Sequence, residues 1–308
     1  MKIRQLEYFV SVYEEGTFSK AAARLHATQP GLSTKIKQLE VEIQQKLFER
    51  SVKGAVPTEA AHRLYVHALS ILKSIQETMV EMDSLSGEVT GFIRFGMVPS
   101  AIRGLSTNLF TDFFENFPNV RMELKEAFSD DLAHWVRSGS LDFAIVIEPP
   151  ETSGLTIEKI SEEQMVLISG KKMKQKPWQP IDLTKFGPLK LVAPSPKNGL
   201  RINLETHIRS GNIEIERMTE MDSVHATIEF IKQSDWCTIL PATAAAPEFA
   251  SKSLNLNPIK DPIITSGFFL IQQSKASLSV ASRMMVAQII KTLAMVEGDL
   301  ANYFKKGG

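Results

Sequence analysis

The chain has 308 residues and a single cysteine, Cys237. One thiol excludes a disulfide within the chain and any cysteine-based metal set. Two readings of Cys237 stay open, a buried strand residue or a reactive thiolate, and the second requires a depressed pKa that no sequence neighbour supplies. No apolar run approaches the roughly 20 residues of a membrane span. The first apolar patch, residues 8–12, follows Glu7, so no signal peptide is expected and the location is expected to be cytoplasmic. Net charge is also lacking, with 35 Lys+Arg against 35 Asp+Glu, so overall charge argues neither for nor against a nucleic-acid partner. The catalytic signatures GxSxG, GxxxxGK[ST], HExxH and GxGxxG are missing. His26, His62, His67, His134, His207 and His225 are scattered, none paired four apart. These absences disfavour an enzyme, and neither a metal nor a cofactor is expected.

What is present is local. At 43% hydrophobic and 23% charged, the composition is that of a folded chain of two or three domains. Between Glu15 and Glu40 there is no acid, and from Lys20 to Lys53 seven cations face three acids. A basic stripe inside a neutral chain suits a DNA contact surface, or else a solvated helix face. Ile3, Leu6, Val10 and Tyr13 recur at helical spacing, and Gly16 is placed to end that helix. Ser19 suits an N-cap for a second helix. Thr28 suits the cap of a third, whose first turn tolerates Pro30 because the missing N–H is unpaired there anyway.

In the third helix Leu32, Ile36, Leu39 and Ile43 form one apolar stripe, with Pro30, Thr34, Lys37 and Gln38 opposite. Two helices joined by a short turn, the second polar and cationic on its outer side, form the layout of a helix-turn-helix. Residues at the start of such a helix reach base edges, which makes Gln29, Pro30, Ser33 and Thr34 the candidate readers, with Thr28 at the cap. Lys35, Lys37 and Arg50 suit phosphates, and Lys53 with Gly54 suits a wing resting on the DNA backbone or minor groove.

The residues Ala21, Ala22, Leu25, Gln29, Pro30, Leu32, Ser33, Ile36, Leu39, Glu40, Leu47, Phe48 and Arg50 match AAxxLxxxQPxLSxxIxxLExxxxxxLFxR. This resembles the DNA-binding domain of LysR-type transcriptional regulators. Gly31 stands where that family usually has Ala, Pro57 where it has Leu, and Ala61 where it has Gly.

From Thr58 to Ser86 the chain runs without Gly or Pro. Ala61, Leu64, Ala68, Ile71, Ile75, Thr78, Met82 and Leu85 alternate spacings of three and four, a heptad seam. The seam fits a two-helix contact between subunits, or packing on the helix's own domain. The resemblance implies the first, a dimerising linker helix at 59–87 after a winged helix-turn-helix at 1–58, with tetramers common in the family.

Gly87 and Gly91 mark the boundary to a third part, 91–308. Strand patterns at Phe92–Val98, Val120–Leu124, Leu141–Ile147, Leu189–Pro194, Ile213–Met218, Cys237–Pro241 and Gly267–Gln273 alternate with helical patterns, which predicts an α/β fold with parallel strands. RFGMVPS, FxxxFPxVxxxL from Phe113 and GSLDFAIV from Gly139 resemble the LysR-type effector-binding domain, two lobes akin to periplasmic binding proteins. The resemblance places lobe one at 92–161 and 268–308 and lobe two at 162–267. It departs at Ser234 and Trp236, which replace family glycines. Trp236 either narrows the cleft or fills a core.

Ligands of such folds bind beyond the carboxyl ends of strands. By position the resemblance implies Pro99, Ser100, Ala101, Ile102, Ser129, Ile147, Glu148, Pro194, Ser195 and Lys197 as the effector site. A helix start at Ser100, with Arg103 and Lys197, suits a small organic anion. The resemblance implies a ligand-responsive regulator that binds double-stranded DNA, a small-molecule effector, RNA polymerase and a second copy of itself. A DNA-binding regulator without a ligand is the alternative, and a binding-fold enzyme the remoter one.

Overall fold

A computed structural model describes residues 1–25, 27–51, 54–84, 88–148, 153–249, 253–274 and 276–307. The chain divides into two compact units, Met1–Gly87 with Ser138–Ser140, and Glu88–Arg137 with Leu141–Gly308.

In the first unit, α1 (Ile3–Glu15) ends at Gly16, whose left-handed φ of 65° lets its N–H reach Val12 O at 3.0 Å. Helix α2 (Phe18–Arg24) is capped by Thr17, not by Ser19: Thr17 Oγ1 accepts the Lys20 N–H at 3.3 Å, and Ser19 falls inside the first turn. Helix α3 (Gln29–Ile43) follows Thr28, which occupies the cap position by backbone shape but makes no side-chain capping bond. Leu32, Ile36 and Leu39 are buried with Leu6, Phe9, Val12, Ala21 and Ala22, while Ile43 is half-buried. Strands β1 (Phe48–Ser51) and β2 (Gly54–Pro57) form an antiparallel wing in which Phe48 faces Pro57 and Ser51 faces Gly54. The wing is seated on the α1–α2 turn: Ala55 N–H donates to Gly16 O at 2.8 Å, and a Cβ at Gly54 would collide with that carbonyl.

Helix α4 (Glu59–Ser84) starts at Thr58, whose hydroxyl accepts from Ala61 N at 3.2 Å and donates to Lys46 O at 2.7 Å. The heptad seam has two fates. Ala61 and Ala68 are fully buried in the core around α1–α3, and Leu64 packs against it, so this part of the seam serves its own unit. Small residues let α4 approach α1 closely there, and Tyr13 stacks on Tyr65 with ring centroids 4.0 Å apart. Ile71 is 37% exposed, Ile75 half-buried and Thr78 exposed. The Met82 side chain, Leu85 and Gly87 lie outside the described residues.

In the second unit β3 (Gly91–Met97), α5 (Pro99–Asn116), β4 (Val120–Glu126), α6 (Ser129–Arg137) and β5 (Phe143–Ile147) build a parallel β4-β3-β5 layer. Then come β6 (Leu155–Ser169), a short β7 (Ile181–Asp182), β8 (Leu189–Ala193), α7 (Gly199–Arg209), β9 (Ile215–Glu220), α8 (Val224–Gln233) and β10 (Cys237–Pro241). Last are β11 (Asn255–Asp261), β12 (Thr265–Gln273) and α9 (Val280–Gly307). Strands β10, β8 and β9 form a second parallel layer. Two long strands join the layers. β6 pairs antiparallel with β12 over Leu155–Gln164, then with β10 and β11 over Met165–Ser169. The lobe borders inferred from the resemblance, 161/162 and 267/268, fall inside these continuous strands.

The strand pattern at Ile213–Met218 is displaced by two residues, because Ile213 is buried before the strand begins. β6 carried no apolar alternation to announce it, since its first half is rich in Glu and Lys.

Glu163 of β6 sits in register with Ser266 of β12 and is almost fully buried. Its Oε2 accepts the Thr243 N–H at 2.7 Å, while Oε1 has no hydrogen-bond partner among the described residues. Burial pushes the carboxyl up from 4.5 to about 7, against the opposing Thr243 N–H. An acid with a raised folded pKa binds its proton more tightly in the fold, so its stabilising effect is complete below the unfolded pKa and is lost as pH rises through the folded one. Glu163→Gln should therefore gain stability relative to wild type by roughly 3 kcal/mol between pH 4.5 and 7.5. Guanidinium unfolding at both pH values measures this, and a pH-independent difference would contradict it.

Candidate functional site

The outer face of α3 presents Thr28, Gln29, Pro30, Thr34, Lys35 and Lys37 to solvent. Gln29 Oε1 accepts from the Ser19 hydroxyl at 3.3 Å, which joins the starts of α2 and α3. The Thr34 hydroxyl donates to Pro30 O at 2.9 Å, and Lys35 Nζ donates to Gln38 at 3.2 Å. Ser33 is half-buried and lines a groove with Lys37, Phe18 and Phe48. The Arg50 backbone pairs with Ala55 in the wing; its side chain, and Lys53 altogether, lie outside the described residues.

The basic stripe is narrower than its composition implies. Arg24 is held by Glu14 at 2.6 Å and Glu15 at 3.2 Å, which leaves Lys20, Lys35, Lys37 and Lys46 as exposed cations in no ion pair among the described residues. Glu40 acquires a structural part: its Oε1 accepts from Leu47 N at 2.8 Å and Phe48 N at 3.3 Å, fixing where the wing departs from α3. At Gly31 a Cβ would stand 3.0 Å from Thr28 Oγ1, so the glycine leaves that hydroxyl room beside the cap.

The second site is a crevice at the carboxyl ends of the strands in both layers. Four helices begin at it, and each contributes lining residues: α5 with Pro99 and Ser100, α6 with Ser129, α7 with Gly199 and Leu200, α8 with Val224 and Thr227. Unpaired N–H groups and the helix dipole make each such end electropositive. Several polar side chains in the wall are engaged by backbone. Ser129 Oγ donates to Ile147 O at 2.5 Å and accepts from Ile147 N at 3.2 Å, tying α6 to the end of β5. Thr238 Oγ1 donates to Val192 O at 2.8 Å across β10 and β8. Asn198 Oδ1 caps α7 through Leu200 N at 3.0 Å.

Of the residues inferred by position, Pro99, Ser100, Ser129, Ile147 and Pro194 line this crevice. Glu148 and Lys197 line an adjoining groove with Asp130 and Ile202. Ala101, Ile102 and Ser195 are not among the lining residues of either: α5 turns about 100° per residue, which carries Ala101 into the core. Arg103 does not face the crevice; its guanidinium donates to Ala244 O and pairs with Glu248 at 2.7 Å. Met221, Asp222, Thr227 and Thr238 were missed, the first two because β9 runs to Glu220 rather than ending at Met218. Trp236 is absent from the lining and packs on Phe230 and under Arg217, so it does not narrow the cleft. Cys237 is fully buried in β10, and burial pushes its thiol up to about 12, which overturns the thiolate reading.

A family model described as "LysR substrate binding domain" matches residues 86–294, and one described as "Bacterial regulatory helix-turn-helix protein, lysR family" matches residues 3–62. The chain is 26% identical over 280 residues to the nitrogen assimilation regulatory protein nac of Klebsiella aerogenes, covering 91% of each. It is 27% identical over 290 residues to the transcriptional regulator BenM of Acinetobacter baylyi, covering 92% of this chain and 93% of that one. Among solved structures, a full-length OxyR variant from Pseudomonas aeruginosa has a TM-score of 0.70 at 18% identity, covering 96% of this chain and 95% of the other. Full-length CbnR complexed with its target DNA has a TM-score of 0.64 at 19% identity, covering 96% and 100%. These two likenesses are of fold.

Ser129→Ala removes both bonds to the Ile147 backbone at the end of a buried strand. It should destabilise the second unit by about 1–3 kcal/mol, read by denaturant unfolding, whereas an unaffected midpoint would show that solvent replaces the hydroxyl.

Proposed function

The chain belongs to the LysR family of bacterial helix-turn-helix regulators, and we propose that it reads an operator with the exposed start of α3 and is switched by a small molecule in the crevice. It is a DNA-binding transcription regulator with an effector-binding domain. The observation that carries the finer reading is the split character of α3. One side is fully buried, and the first two turns of the other offer exposed Gln29, Pro30 and Thr34 with no acid before Glu40. That is the geometry needed to place short polar side chains against base edges. Gln29 and Thr34 read bases, with Ser33 at the groove edge and Thr28 and Pro30 in close contact. Lys35, Lys37, Arg50 and Lys53 bind phosphates. The solved CbnR–DNA complex supports DNA as the partner.

Head, linker helix and effector unit divide at about 1–58, 59–87 and 91–308. The effector enters the crevice at Pro99, Ser100, Ser129, Ile147 and Pro194. Ligand binding shifts the protein only insofar as the two conformations differ in affinity for it. A second copy pairs along the exposed part of α4, so that two heads engage two half-sites. The effector-bound form changes contact with RNA polymerase. The output is control of transcription rather than catalysis, in the cytoplasm. No described helix is long and apolar enough to cross a membrane.

Operator titrations across salt concentrations test the division of roles. Lys37→Ala should weaken binding to every sequence and lower the salt slope by about one. Gln29→Ala should leave the slope unchanged and relax one base position by about 1–3 kcal/mol. Equal effects of both on all sequences would contradict the assignment.

A further inference from the structure

The crevice has an unusual charge pattern for an anion site. No lysine, arginine or histidine lines it among the described residues, and its single charged lining residue is an acid, Asp222. The nearby cations are committed elsewhere. Arg103 pairs with Glu248, and buried Arg201 donates to Pro194 O at 3.1 Å and Glu205 at 3.0 Å. Lys197 belongs to the adjoining groove, beside Glu148 and Asp130. The positive potential therefore comes from the starts of α5, α6, α7 and α8, each at least nine residues long. Two hydroxyls in the wall, Ser100 and Thr227, are each only 4% exposed and have no hydrogen-bond partner among the described residues. Buried hydroxyls without a partner are uncommon; others lie at Ser169, Thr243 and Ser266 outside the crevice, and Ser100 and Thr227 are the two that line it. Asp222 is held in place through Oδ1, which accepts the Ser195 N–H at 2.9 Å, and Oδ2 has no partner among the described residues. The rest of the wall is apolar: Val98, Phe128, Val192, Met221 and Leu240.

A lone anion would meet Asp222 with no cation to offset it. A lone amine would meet four positive helix ends. We propose that the effector is a small α-amino acid with an apolar side chain. Its carboxylate lies at the helix starts and takes the Ser100 and Thr227 hydroxyls; its ammonium faces Asp222 Oδ2. Its side chain fills the apolar wall. This amends the organic anion expected from sequence, and it rests on the crevice being the effector site.

Titration calorimetry on the full-length protein tests it with L-alanine, L-valine, L-leucine and L-methionine, each beside its 2-hydroxy acid, and with isobutylamine. At least one amino acid should bind saturably, with its hydroxy acid and the amine weaker by about tenfold or more. Asp222→Asn keeps an oxygen for the Ser195 N–H but removes the charge, and should reduce that preference to less than about threefold. Thr227→Phe fills the crevice and should abolish binding, its fold checked by thermal unfolding. If no amino acid binds, or a hydroxy acid binds as well, the proposal is overturned. The source of the failure is then visible. A hydroxy acid that binds wild type but not Thr227→Phe leaves the crevice as the site and removes only the ligand class. If nothing binds and Thr227→Phe regulates as wild type, the site reading falls as well.

Discussion

The antiparallel ladder between β6 and β12 is the contact on which the effector unit depends. Over Leu155–Gln164 and Thr265–Gln273 the two strands pair with each other, and beyond Gln164 β6 exchanges β12 for β10 and β11. The exchange is sealed by Met165 N–H donating to Ile264 O at 2.9 Å. The β4-β3-β5 layer thereby hangs from β12 and the β10-β8-β9 layer from β6, with the carboxyl strand ends of both turned toward the crevice. Among the described residues 162–164 and 265–267 pair only with each other, and a two-stranded ribbon of this kind tolerates a wide range of twist. Such a short ribbon suits a joint between the two layers. The buried Glu163 lies inside this ladder, so the joint carries an internal carboxyl whose proton is sensitive to burial.

The same economy of construction is visible in the head. Gly16 ends α1, supplies the acceptor for Ala55, and leaves no room for a side chain at Gly54. Glu40, at the far end of α3, receives the N–H groups of Leu47 and Phe48. The wing is thus fixed at both ends by groups from the helices it flanks. Burial of Phe9, Leu32, Leu39 and Leu47 supplies the apolar driving force, and these few polar contacts set the angles.

Much of this was legible in the sequence. The α3 stripe at Leu32, Ile36 and Leu39 announced its buried side by spacing alone, and β5 announced itself as a continuous apolar run. What escaped did so for identifiable reasons. Thr17 rather than Ser19 caps α2 because both are good caps two residues apart, and only the backbone decides. β6 was invisible because its first half, rich in Glu and Lys, carries no apolar alternation. The crevice was read in part: helix starts were found through strand ends, but Met221 and Asp222 depend on a strand end displaced by two residues. Arg24 and Arg103 look like available cations in sequence, and only three-dimensional neighbours reveal Glu14, Glu15 and Glu248 beside them.

Ala61, Ala68, Tyr13 and Tyr65 make the first turns of α4 part of the head's core, with no flexible joint at Thr58. Head and helix therefore turn as one body. At 1.5 Å per residue, the 26 residues of α4 form an arm about 39 Å long. A tilt of only about 10° across an arm of that length displaces one end against the other by about 7 Å, roughly two base-pair steps of DNA at 3.4 Å each. A tilt of that size would therefore change which bases lie beneath a DNA-reading head.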